Sequence, residues 1–222
     1  MTLFSPLVEH AIETAAEWHD GTYRKGRWTD SCIDGALEVG RVPTMAHVTT
    51  VALTVQRAGW GDAAVAAAFL HDALEDANRH RESMPRATLV ARVGEEVVRI
   101  VEAVSEPKRD ADGEPLPWRR RKNVYLERLA AGPLEAAAVS LADKLHNAYA
   151  MASSLEAGID IFCDGPGRRG LSAGAEDQLW FFRSVHEVSR GHHDDRLAPM
   201  RSRLEAEVRR FEDAAGRTTL VG

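Results

Sequence analysis

At 222 residues and 24.4 kDa the chain has room for one domain with a closed hydrophobic core. Its 44% hydrophobic and 28% charged residues exclude a disordered chain, and a net charge of −6 provides no basic excess to neutralise a nucleic-acid backbone. Two cysteines, Cys32 and Cys163, give neither a disulfide framework nor a paired metal-ligand spacing, which leaves two reduced thiols in a cytoplasmic protein.

A first helix is predicted from about Pro6 to His19, with Leu7, Ala11, Ala15 and Trp18 on one stripe. Glu9, Glu13 and Glu17 break any apolar run there, so the start does not read as a secretory signal. Pro43 and Thr44 open a second helix through Arg57, which Gly59 ends. The uncharged run Val42–Gln56 holds four threonines and a glutamine and falls short of a membrane span. Asp62 is expected to cap a third helix, Ala63–Asp76, whose first half, Ala63–Leu70, is wholly apolar. A short helix near Arg86–Arg92 stops at Gly94, and another covers Glu95–Glu106. Pro117 opens a helix through Ala130, broken by Gly132-Pro133. From Pro133 onward, Leu134, Ala138, Leu141, Leu145, Ala148, Ala152 and Leu155 form the strongest core stripe of the chain. Two further helices cover roughly Glu176–Ser189 and Pro199–Ala215, and the tail from Gly216 is expected to fray. Loops are expected at Lys25–Val42, Asn78–Pro85, Pro107–Leu116 and Gly158–Gly174. With no strand predicted, the fold class is all-α: a single compact domain over residues 1–222.

The third helix carries the chemistry. His71 and Glu75 are one turn apart, as are Asp72 and Asp76, so all four share adjoining strips of one face. Three carboxylates on an otherwise apolar helix repel one another and resist desolvation, and at a helix C-terminus they oppose the dipole. A bound cation removes these problems together. His47, mid-helix in an apolar stretch, taken alone reads as a core histidine. Asp143 lies between Leu141 and Leu145 on the core stripe, where a lone carboxylate is costly without a cation or donors. With His71 and Asp72 these make two imidazoles and two carboxylates from three helices, a donor set suited to Mn²⁺, Fe²⁺ or Zn²⁺ acting on a water.

A lone His, a His-Asp pair and a later Asp, in that order, resemble the HD superfamily of metal-dependent phosphohydrolases. Arg24-Lys25-Gly26, His47, His71-Asp72-Ala73-Leu74-Glu75-Asp76 and Leu141-Ala142-Asp143-Lys144-Leu145-His146-Asn147 look more specifically like the hydrolase domain of Rel/SpoT-type alarmone enzymes. The stand-alone small alarmone hydrolases are the most similar group, and the resemblance covers about Ala11 to Leu155, with the C-terminal helices 176–215 packing on that core. It implies one divalent metal, usually Mn²⁺, on His47, His71, Asp72 and Asp143. It implies Glu75 and Asp76 as the pair that orients and deprotonates the attacking water. It implies Arg24, Lys25, Lys144 and Asn147 as nucleotide contacts, with Lys122 beside them. The implied reaction removes the 3′-pyrophosphate of guanosine tetra- or pentaphosphate, with a nucleotide as partner and neither nucleic acid nor membrane. The alternatives are an HD phosphohydrolase acting on an adenosine alarmone, a nucleoside monophosphate or the 2′-phosphate of NADPH, and a nucleotide-binding module without activity. The chain departs from the family in the long segment Arg27–Val42, in Val48 and Thr44 where a Pro and an aromatic are usual, and in Lys108 where a Lys nearer Glu106 is usual.

Weaker signals have plainer readings. The basic run Arg119–Lys122 opposes the dipole at its helix start, which hints at a phosphate partner. Gly158–Gly174, with five glycines, lacks the Gly-Lys-Ser/Thr ending of a phosphate loop. His192-His193-Asp194-Asp195 reads as a polar loop before a helix, His146 as packing or hydrogen bonding behind the ligands, and Trp180, Phe181 and Phe182 as core.

Overall fold

The computed structural model describes residues 3–30, 39–110, 112–164 and 169–219. Residues 31–38 of the Arg27–Val42 segment, Cys32 among them, and Arg168 of the glycine-rich loop therefore lie outside the described residues. Among those described, the elements run α1 (Pro6–Trp18), β1 (Tyr23–Asp30), β2 (Val39–Pro43), α2 (Thr44–Arg57), α3 (Asp62–Leu70), α4 (Arg86–Ala103), α5 (Trp118–Ala131), α6 (Leu134–Glu156), α7 (Ala175–Arg190) and α8 (Leu197–Thr219). The expected all-α class holds, and no described helix is long and apolar enough to cross a membrane.

Local chemistry sets most boundaries. Ser5 caps α1 by accepting from the Val8 N–H, with Pro6 at the first helical position. Gly59, at φ +84°, closes α2: its N–H donates to Gln56 O and that of Trp60 to Val55 O, the double bond of a left-handed helix stop. At Gly94 (φ 83°, ψ 164°) the two short helices expected around it abut as one kinked element, α4. Arg86 at its start reaches across the kink to Glu95 and to Glu102, the latter at 2.7 Å.

α6 is the axle. It packs against α2, α3, α7 and α8, and every residue from Ala136 to Lys144 is buried. The single stripe read from the sequence thus becomes a helix enclosed on all sides over this stretch, and Asp143 is enclosed with it. α3, apolar all round, is buried from Ala64 to Leu70 between α1, α2 and α4.

Four expectations are corrected. Tyr23–Asp30 and Val39–Pro43 pair antiparallel, with Trp28 opposite Arg41 and an irregularity between Tyr23 and Trp28, where a loop was expected. This ribbon packs on α2 and α6 instead of burying an alternating apolar face of its own, so no period-2 pattern announced it. α3 stops at Leu70, and 71–76 is a chain of turns, with Ala73 N bonded to Leu70 O and Glu75 N to Asp72 O. Gly61 is the N-cap of α3, and Asp62 stands in its first turn, where its charge still favours the dipole. The last helix continues through Gly216 to Thr219.

Candidate metal centre

The metal-ligand candidates converge from three elements. His47 projects from the first turn of α2, His71 caps the C-terminus of α3, Asp72 follows it, and Asp143 comes from the middle of α6. His47, His71 and Asp143 are buried, and one donor atom from each lies within 4.8 Å of the other two. His47 Nε2 is 3.1 Å from Asp143 Oδ1 and 3.3 Å from His71 Nε2. Asp72 closes a further side, its Oδ1 3.3 Å from His71 Nε2 and its Oδ2 3.8 Å from His47 Nε2.

The far side of each imidazole fixes which nitrogen faces inward. His71 Nδ1 lies 2.7 Å from Ala68 O, a carbonyl that can only accept, so Nδ1 carries the proton and Nε2 points into the cluster. His47 Nδ1 is 2.7 Å from His146 Nδ1. Burial and then the Arg24 charge hold His146 at about 4, neutral and able to accept the His47 proton. Burial, and after it Arg24, also keep His47 well below its ordinary value. Burial would depress His71 too, but Asp72 and Asp143 overcome it and raise that imidazole to about 9. The two carboxylates thus favour positive charge at His71, whereas burial and Arg24 disfavour it on His47. Two borderline nitrogens and hard carboxylate oxygens fit a divalent first-row cation, and the residues present suit such an ion.

Asp143 is held from behind. Lys144 Nζ pairs with its Oδ2, and Asn147 Nδ2 donates to its Oδ1 at 2.7 Å. Against the opposing effect of burial, the Lys144 charge and the two histidines keep Asp143 ionised, well below the usual carboxylate range. Lys144 is itself buried, 4.8 Å from the Tyr125 ring and 5.2 Å from the Phe181 ring, and Asp143 raises its pKa despite that burial.

A cavity of about 230 Å³ opens over the cluster, and Arg24, Lys25, Glu75, Asp76, Lys122 and Lys144 all line it. Arg24, on β1, bonds Asn147 Oδ1 and lies 3.8 Å from Asp72 Oδ2, while its buried Nε has no hydrogen-bond partner among the described residues. Lys25, next along the strand, is exposed. Lys122 and Arg121 both pair with the buried Glu106, which absorbs much of the basic run's charge, and Arg119 pairs with Asp177 at 3.1 Å.

Glu75 and Asp76 occupy different environments. Burial, then the charges of Asp72, Asp76 and Glu106, push Glu75 up to about 7. Its Oε2 accepts the Glu106 N–H at 3.2 Å. Asp76 is drawn below its ordinary value despite burial, because Lys108 Nζ pairs with Oδ1 at 2.9 Å. The same ammonium reaches Glu75 O, and Trp18 Nε1 donates to Asp76 O at 2.8 Å. Once α3 has stopped at Leu70, the carbonyls of this turn find partners on α1 and in the 107–116 loop. Trp18, read from the sequence as a core residue, therefore also grips the acidic turn, as does the family departure Lys108. No local sequence signal marks Trp18, since a donor's partner 58 positions away leaves none.

His192–Asp195 lies away from this centre, as a polar loop before α8: His192 Nε2 is 3.2 Å from Leu129 O, and Asp194 pairs with Arg196.

A family model described as "HD domain" matches residues 27–160, more than half of the chain. A solved structure titled for a metazoan ortholog of SpoT that hydrolyzes ppGpp is 22% identical, with a TM-score of 0.63, over 94% of this chain and 97% of that one. At that identity the likeness is one of fold. The structure of lmo0812 from Listeria monocytogenes EGD-e is 27% identical, with a TM-score of 0.57, over 75% of this chain and 94% of that one. No curated protein matches the chain.

Proposed function

The chain belongs to the HD domain family, and from that premise we propose that it removes the 3′-pyrophosphate of guanosine tetra- and pentaphosphate, giving GDP or GTP and pyrophosphate. The carrying observation is the convergence of His47, His71 and Asp143 donor atoms within 4.8 Å at the floor of a cavity edged by both acids and cations. The Arg24-Lys25 pair and the two motif strings, together with a fold like that of a ppGpp hydrolase, support the alarmone as substrate.

His47, His71, Asp72 and Asp143 would hold one divalent ion, taken here as Mn²⁺ with Fe²⁺ and Zn²⁺ as the other choices. Bound there, the ion supplies an acidified water and draws charge from the phosphoryl oxygens. Arg24, Lys25 and Lys122 receive the phosphates, and Lys144 adds a cation beneath them while orienting Asp143. Asn147 ties Arg24 to Asp143, linking the strand that meets the nucleotide to a residue of the ligand set. Glu75, at about 7, is the better proton acceptor of the acidic pair near neutrality. Asp76, pinned by Lys108 and Trp18, stays ionised and orients the water. The water oxygen bonds to the phosphorus attached to O3′, the P–O3′ bond breaks, and the proton taken by Glu75 ends on O3′.

The test is a panel of guanosine and adenosine alarmones, nucleoside monophosphates and NADPH given to the Mn²⁺-loaded protein, with products resolved by chromatography. Guanosine tetraphosphate should yield GDP and pyrophosphate in equal amounts. Turnover of another panel member with no pyrophosphate from the alarmones would overturn the substrate assignment.

A further inference from the structure

Arg24, Lys25, Lys122 and Lys144 bring cations to the cavity, with Lys122 Nζ 4.4 Å and Lys144 Nζ 5.2 Å from the Phe181 ring, and its uncharged lining includes Met151 of α6, Leu171 and the α7 residues Gln178 and Phe182. Among these uncharged residues one polar group stands out. Gln178 is only 9% exposed, yet its side-chain amide has no hydrogen-bond partner among the described residues. Gln178 lines the cavity, and its amide is not among the side-chain groups sealed from solvent without a partner. A ligand that fills the cavity and displaces solvent from this amide leaves it unpaired unless it supplies a hydrogen-bonding partner of its own.

Resting on the reading that the substrate is a nucleotide, we propose that Gln178 is a specificity-determining residue that hydrogen-bonds the edge of the nucleobase, with the ring lying along Met151 and Leu171. Phosphates are drawn to the guanidinium and ammonium groups that line the same cavity, which bind anions more strongly than a neutral amide does. A ligand wall that is mostly apolar with one placed polar group is the usual setting for a flat heterocycle. The amide offers a donor and an acceptor side by side, and nucleobase edges offer the matching pair.

The experiment titrates Mn²⁺-loaded protein with GMP, AMP and ribose 5-phosphate, which share one phosphate and differ in the base. The wild type should bind the nucleotides about tenfold or more tighter than ribose 5-phosphate. Gln178→Leu keeps the wall's volume and should cut that advantage by at least about threefold while leaving ribose 5-phosphate unchanged. Gln178→Glu should raise the preference for GMP over AMP, because a carboxylate accepts from both N1–H and N2–H of guanine and repels N1 of adenine. A wild type without a base advantage, or a smaller loss in Gln178→Leu, overturns the proposal. Hydrolysis of guanosine tetraphosphate is measured alongside. An inactive wild type whose base advantage still falls in Gln178→Leu refutes the alarmone reading alone, and an active one with an unchanged advantage refutes this inference alone.

Discussion

Glu75→Gln should stabilise the metal-free protein, and the gain should depend on pH in a defined direction. In the fold, burial and the neighbouring carboxylates raise Glu75 from 4.5 to about 7. An acid with a raised folded pKa binds more protons folded than unfolded between those two values. Its contribution is therefore fully present below about 4.5 and is lost as pH rises towards about 7, with no further loss above. At about 1.4 kcal/mol per pKa unit the displacement sets a ceiling of about 3 kcal/mol. Glu75 is only half-buried, and solvent screening reduces the expected gain to about 1–2 kcal/mol at pH 8. Urea denaturation of chelator-treated wild type and Glu75→Gln at pH 4.5, 6 and 8 measures it. The two curves should nearly coincide at pH 4.5 and separate as pH rises. Mn²⁺ should narrow the gap at pH 8 by supplying the missing positive charge. A variant less stable than wild type at pH 8, or a gap independent of pH, would refute the argument that Glu75 is held under electrostatic strain.

Glu75→Gln combined with Asp76→Asn should retain metal and nucleotide while kcat falls by about 10²–10⁴, the usual worth of general acid–base catalysis; loss of metal in the pure protein would instead make the pair ligands. His146→Ala removes the acceptor for His47 Nδ1 and should weaken Mn²⁺ binding about 10–100-fold by calorimetry, whereas unchanged affinity would mean that His47 needs no such support. Lys25→Ala should raise KM with metal content unchanged, and lost metal with an unchanged KM would sink its assignment to the substrate. Trp18→Phe deletes the donor to Asp76 O while keeping most of the ring, and should lower kcat several-fold, by about 1 kcal/mol of positioning, with KM and metal content preserved; an equal fall in Phe and Ala variants through unfolding alone would make the contact merely structural.

Periodicity made much of the molecule legible before any coordinates. A helix reports itself through neighbours three and four positions apart, so α1, α2, α5, α6 and α7 fall within a residue or two of their expected bounds. The metal-ligand candidates were legible for a related reason: an ionisable residue on an apolar stripe violates the local pattern, and His47 and Asp143 do so on helices that are otherwise core. Other features depended on contacts between distant segments. β1 and β2 carry no alternation because their ribbon lies on α2 and α6 instead of covering a core of its own. The spacing of His71, Asp72, Glu75 and Asp76 is that of a helix, yet the backbone leaves the helix at Leu70, and Trp18 and Lys108 hold carbonyls of the turns that follow. Lys144 was legible as a cation, but only burial against Asp143 and the Tyr125 ring made it a partner of a metal-ligand candidate. Gln178, an ordinary polar residue in the first turns of α7, is singled out only by lining the cavity while nearly buried. Local pattern thus determined which groups are chemically costly, and tertiary packing decided which of them meet, because the energy that places them comes from partners far away in the chain.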